Sequence, residues 1–168
     1  METTSTFQKT LLMGVEVWRR HTNPLSVYTR FLSMPLLGLA LWSRDWIGLW
    51  CAIPVALAIA WVWINPRLFP VPDSTDNWAS KAVLGERIWL RRKTIPIPRH
   101  HATAAIVLAA ISAIGALQFL YGAIALEPVM LSYGLVVTLL GKAWFLDRMV
   151  WLYEDMMHTS AEYRDWLY

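Results

Sequence analysis

Long apolar runs alternate with short polar interruptions along the chain. Residues 24–42 are apolar apart from Arg30 and a few hydroxyls, residues 46–64 and 102–126 carry no charge, and residues 128–152 are apolar until Lys142, Asp147 and Arg148. Each run holds about 19 to 25 residues, enough at about 1.5 Å rise per residue to cross a hydrocarbon core of about 30 Å. A helix buried in a soluble core rarely stays apolar that long. The pattern predicts an all-α protein, a four-transmembrane-helix bundle built as two helical hairpins. Its spans fall at 24–42, 46–64, 101–126 and 128–158, the last with a cytoplasmic extension, in one integral membrane domain over 1–168.

Local punctuation fits these elements. Asn23-Pro24 is a helix start, a capping side chain followed by proline in the first turn. Ser43-Arg44-Asp45 and Glu127-Pro128 read as tight turns. Asn65-Pro66 ends the second helix, because the residue before proline avoids the helical region. Pro35 and Pro54 fall mid-span and predict kinks.

Two further segments have helical spacing without membrane length. In 7–20, Phe7, Leu11, Val15 and Trp18 share a face, as in an amphipathic helix lying on a membrane surface. In 77–92, Trp78, Ala79, Ala82, Gly85, Trp89 and Leu90 form an apolar face opposite Ser80, Lys81, Arg87, Arg91 and Arg92. Leu84 and Ile88 interrupt that pattern, and Asp76 stands where a cap would.

Composition agrees with a bilayer setting. Of 168 residues, 57% are hydrophobic and 16% charged, with 11 Trp, against about a quarter charged in soluble domains. Basic residues are unevenly placed: Arg67, Lys81, Arg87, Arg91, Arg92, Lys93 and Arg99 lie in the central segment and Lys9, Arg19 and Arg20 near the N-terminus, while the turns offer only Arg44. The positive-inside rule then predicts a cell-membrane protein with both termini and the central segment cytoplasmic. The net charge of +3 suits anionic headgroups, so membrane lipids are the expected partners, with no call for nucleic acid. "METTSTFQKT" lacks the basic start and apolar core of a cleavable signal, so the first span is expected to serve for targeting. The one cysteine, Cys51, excludes an intramolecular disulfide and reads as a small core residue within the second helix.

Against this background "GERIWLRRKTIPIPRHHA", residues 85–102, is unusually polar. Glu86 falls near the centre of the apolar face, where a carboxylate requires pairing, a metal or a proton. A buried Arg or Lys is the plainer partner. His100 and His101 open the third span. Adjacent helical residues diverge by about 100°, so both would face one ion only if His100 preceded the helix. In the fourth span Asp147, Trp151, Glu154 and His158 lie on one stripe, with Glu154 and His158 one turn apart, a spacing that can chelate. Asp147 lies deeper, where an ionisable group is a functional candidate by default; structurally, it would pair with Arg30. Lys142 is deeper still, points elsewhere and needs its own partner or must snorkel. The candidate catalytic set is Glu86, Asp147 and Arg30. The candidate ligands for a divalent metal are His100, His101, Asp147, Glu154 and His158.

His21-Thr22-Asn23-Pro24, Asn65-Pro66-Arg67, "WASKAVLGERIWL" and "WFLDRMVWLYEDM" together resemble an uncharacterised family of small prokaryotic four-helix integral membrane proteins. The resemblance spans most of the chain. It implies a membrane location and brings no activity.

Several classes are disfavoured by the residues themselves. Four histidines without an H-x-x-H-H box do not make a membrane desaturase. Arg/His or multi-Asp phosphotransfer signatures are missing, as is a Gly-rich phosphate loop. The first span has no deep acid of the small multidrug transporter kind. What stands is an enzyme at the cytoplasmic membrane interface, acting on a lipid or other apolar substrate through a His/Asp/Glu site. The alternatives are an accessory or scaffold subunit of a membrane complex, or a small transporter whose pathway forms between protomers of a homo-oligomer. The small residues Ala105, Ala109, Ser112, Ala113 and Ala116 would suit helix packing in any of these.

Overall fold

The computed structural model describes residues 14–168, an all-helical chain with no strand among the described residues. The helices are α1 (Val15–His21), α2 (Pro24–Phe31), α3 (Ser33–Trp42), α4 (Arg44–Ile47), α5 (Ala52–Leu68), α6 (Trp78–Leu90), α7 (Arg99–Ala125), α8 (Pro128–Met156) and α9 (Ala161–Arg164). Phe7 and Leu11 of the expected surface helix lie outside the described residues; its second half is α1.

Three helical stretches are long and apolar enough to cross a membrane: Pro24–Leu68, Arg99–Ala125 and Pro128–Met156. The first is not straight. Asn23 caps α2, its side chain accepting from Leu25 N at 3.0 Å, and Pro24 takes the first helical position. The helix then breaks at Leu32, because the Pro35 ring presses on the carbonyl four residues back and offers it no N–H. The tight turn expected at Ser43-Arg44-Asp45 is longer. It comprises α4 and a 3-10 turn, Gly48–Cys51, entered at φ 58 by Gly48, a backbone state that glycine takes without a Cβ penalty. Trp46 and Cys51 therefore belong to the turn rather than to a second span. Pro54 sits in the first turn of α5, where its missing N–H costs nothing, and makes no mid-helix kink. At the other end α5 runs through Asn65-Pro66 to Leu68. The Asn65 side chain is held in the helix by bonds to Ser26 and Thr29 across the hairpin, which outweighs the local preference of a residue before proline. α3 packs along α5.

α7 and α8 form the long hairpin expected around Glu127-Pro128. Leu126 takes a left-handed φ of 56 and Glu127 N bonds to the Gly122 carbonyl. Contact between the helices runs through Ala105, Gly115, Phe119 and Gly122 of α7, and Ser112 donates to the Thr138 carbonyl at 3.1 Å. Of the small residues suited to helix packing, Ala109 and Ala113 stay exposed outside this seam. Arg44 donates to the Ile124 carbonyl, tying the two turns together at one end of the molecule.

The core lies at the opposite end, where α6 lies across α8. Ala79, Ala82, Val83, Ile88, Met149, Leu152 and Tyr153 are buried there. Gly85 allows the approach: a Cβ on it would overlap the Met149 carbonyl. α6 is not two-faced as its sequence suggests. Ser80 is fully buried and donates to the Thr22 carbonyl at 2.6 Å; the corner between α1 and α2 covers the face expected to be wet. Asn77, not Asp76, caps α6, accepting from Ser80 N at 2.9 Å. The chain after α8 folds back on this end: Tyr153 donates to the Tyr163 carbonyl, and Thr75 N to the Tyr168 carbonyl at 2.7 Å.

Candidate functional site

Two polar constellations occur at the α6 end. The first lines a cavity of about 20 Å³ bounded by His21, Val27, Arg30, Val83, Glu86, Lys142 and Leu146. It gathers the end of α1, the middle of α2, the underside of α6 and the middle of α8. Arg30 Nη1 lies 2.8 Å from His21 Nε2. A guanidinium only donates, so Nε2 accepts and the proton sits on Nδ1, 3.0 Å from Ser26 Oγ. Ser26 donates to Asn65 Oδ1 at 2.8 Å, Asn65 Nδ2 to Thr29 Oγ1 at 2.8 Å, and Thr29 to the Leu25 carbonyl at 2.6 Å. Every donor in this chain points the same way, which makes it cooperative and fixes the histidine tautomer. Burial, then the charges of Arg30 and Lys142, push the His21 imidazole down to about 3, so it is neutral at any physiological pH. Glu86 accordingly has cationic neighbours, as its place on an apolar face demands. Among the described residues it forms no ion pair with either; the charges share the cavity instead.

The second constellation is His100, His101 and Asp155, whose ligand atoms all lie within 4.8 Å of one another. His101 is buried, and its Nε2 is 2.8 Å from Asp155 Oδ2; His100 Nε2 is 4.0 Å from the same oxygen. The two rings lie 4.1 Å apart, centroid to centroid. Both histidines are inside α7, yet both reach one carboxylate, because their side chains swing together over the first turn of the helix. Two imidazoles and a carboxylate suit zinc or a similar divalent ion. His100 and Asp155 are exposed, which leaves room for water or substrate at the ion. An open apolar groove of about 550 Å³ adjoins this end, lined by Ile95, Pro96, Ile97, Pro98, Met156, Thr159, Ser160 and Tyr163.

Other sequence candidates are engaged elsewhere. Asp147 Oδ1 accepts from Trp78 Nε1 at 3.2 Å and does not meet Arg30. Glu154 is 3.4 Å from Lys81, which also binds Asp76 at 2.8 Å; the hydrogen bond to Asp76 leads the causes that hold the Lys81 ammonium above its ordinary range. His158 is exposed. None of Asp147, Glu154 and His158 joins the His100–His101–Asp155 group. Sequence spacing missed Asp155 because it is one residue, about 100°, off the Glu154–His158 stripe. Lys142 was missed as a cavity residue because the residues that line the cavity with it lie on three other helices.

The family model for DUF6653, a family of unknown function, matches residues 3–166. The chain belongs to the DUF6653 family. No curated protein and no solved structure matches it. Membership accounts for nearly the whole chain as one unit and assigns no activity, so function has to come from the two constellations.

Proposed function

We propose that this DUF6653 member is a multi-pass cell-membrane protein with a divalent-metal site at its cytoplasmic boundary, acting on a lipid or other apolar substrate. Pro24–Leu68 doubles back and supplies two of four crossings, α7 and α8 the others. The basic central segment and both termini face the cytoplasm, in keeping with the positive-inside rule. The outward-facing Leu39, Leu57, Leu117 and Leu140, each more than half exposed, suit contact with acyl chains.

The observation that carries the reading is the convergence of His100, His101 and Asp155 beside the apolar groove. Three protein ligands with an open position are the arrangement of catalytic rather than structural zinc. An ion held there would supply a Lewis acid or lower the pKa of its water to about 7. His101, buried and fixed by Asp155, gives the site its rigid member; His100 and Asp155 give it access. Arg30 and Glu86 face the other cavity, and Asp147 is engaged by Trp78, so the chemistry is assigned to the metal group.

Elemental mass spectrometry on detergent-purified protein, prepared without chelators, tests this. About one equivalent of a divalent metal is expected in the wild type, lost in His101→Ala and in Asp155→Asn. Folded wild-type protein that binds no metal, even after incubation with zinc, would overturn it.

A further inference from the structure

Among the described residues, no carboxylate forms an ion pair with Lys142; Glu86 only shares its cavity. Lys142 lies well inside α8, a helix of membrane length, and makes no hydrogen bond or ion pair with another described residue. Its charge lies close enough to His21 to disfavour the imidazolium, and His21 is neutral. An ammonium at such depth either snorkels or finds an anion. Arg30 is in a similar state. One of its five N–H donors is used, on His21 Nε2 at 2.8 Å, and no carboxylate among the described residues forms an ion pair with it. Both cations line the cavity that Glu86 closes from above. With His21 neutral, two cations and one carboxylate leave a single net positive charge.

We propose that Arg30 and Lys142 bind the phosphate of a membrane phospholipid at the mouth of this cavity, beneath α6. A phosphodiester carries the one negative charge that the site lacks. The cavity itself, about 20 Å³, admits one water and no phosphate. The phosphorus therefore sits outside it, on the side where Lys142 is exposed, with one oxygen directed inward. The His21–Ser26–Asn65 chain holds Arg30 so that its unused N–H groups are presented without reorganisation, a preorganised donor set of the kind that favours phosphate. Glu86 limits the site's charge and turns away ligands bearing two or more negative charges.

The inference rests on the helices crossing a bilayer and not on the metal centre. Delipidated protein in a neutral detergent is titrated, by native mass spectrometry, with dioleoyl phosphatidylglycerol, with dioleoylglycerol, which has the same chains and no phosphate, and with inorganic phosphate. One phosphatidylglycerol is expected to bind well above the others. Lys142→Met, at an exposed position that tolerates the change, should weaken it about tenfold or more, as the loss of one charge-assisted contact implies, and Lys142→Arg should retain it. Equal binding by wild type and Lys142→Met overturns the site. Inorganic phosphate binding as tightly as the lipid overturns the lipid assignment. Protein that stays monodisperse without detergent removes the membrane premise, a result separable from either.

Discussion

His101 and Asp155 are 54 residues apart in sequence, yet Nε2 of the one lies 2.8 Å from Oδ2 of the other, fastening the first turn of α7 to the last turn of α8. A metal bound there ties folding to the ion, because ligands dispersed in the unfolded chain bind it poorly. Chelation with EDTA should lower the thermal midpoint of the wild type in detergent and leave Asp155→Asn unmoved. At a metal concentration about a hundredfold over Kd, the stabilisation is about 2.7 kcal/mol. Glu154→Gln and His158→Ala should respond to chelation as the wild type does. A chelation response lost in Glu154→Gln would return the ligand set to the stripe that spacing alone suggests.

Gly85 sits against the Met149 carbonyl with no space for a Cβ. The obstruction is backbone, which cannot swing aside as a side-chain tip would. Gly85→Ala should push α6 off α8 and destabilise the protein by about 3 kcal/mol, the upper range for overpacking, read as a lower midpoint by circular dichroism. Gly14→Ala, where no described residue lies within 4 Å of the added carbon, is the control. An unchanged midpoint in Gly85→Ala would mean that α6 does not dock as described.

What the sequence made legible was local. Asn23-Pro24 starts a helix and Glu127-Pro128 makes a tight turn as read, since a cap and a proline act within one turn. The helices expected over 101–126 and 128–158 lie within two residues of the observed ends of α7 and α8. Asn65-Pro66 misled because Ser26 and Thr29, almost forty residues away, hold Asn65 in the helix. The wet face expected for α6 was also lost to tertiary packing, with Ser80 covered by the α1–α2 corner. For the site, residue types were legible: Glu86 shares a cavity with Arg30 and Lys142, and His100 and His101 stand together in the first turn of α7. Pairings were not, because they depend on the rotation of each helix about its axis. A rotation of one residue separates Glu154 from Asp155, and with it an ion pair to Lys81 from a contact with His101.

Asp147 accepts from the Trp78 indole at 3.2 Å, a bond that needs an oxygen acceptor but no charge. Asp147→Asn should therefore cost less than about 1 kcal/mol, in the range of a neutral hydrogen bond with its partner retained. Asp147→Leu, which leaves the half-buried indole N–H without an acceptor, should cost about 1 to 3 kcal/mol. Comparison of the two midpoints at neutral pH checks this. A severe loss in Asp147→Asn would show that the negative charge itself is needed and that the bond to Trp78 is not what Asp147 contributes.

His21 gives the fold a pH dependence of definite sign. In the unfolded chain its imidazole takes up a proton below about 6.5, whereas the folded protein holds it neutral until about 3. Between these values the unfolded state binds more protons, so stability falls as pH falls through that window and is complete above it. Each unit of separation corresponds to roughly 1.4 kcal/mol, so the full effect amounts to several kcal/mol. Neutrality is enforced by burial first, then by Arg30, which donates to Nε2, and by Lys142; Glu86 is the acid in the same cavity. His21→Gln keeps an acceptor for Arg30 and a donor for Ser26 without titrating. The stability difference between wild type and His21→Gln, measured by denaturation in detergent from pH 7.5 to 4, should shift against the wild type below about pH 6.5, while carboxylate titrations common to both cancel. A difference independent of pH would mean that His21 takes up its proton in the folded protein as readily as in the unfolded chain, and that Arg30 does not donate to its Nε2.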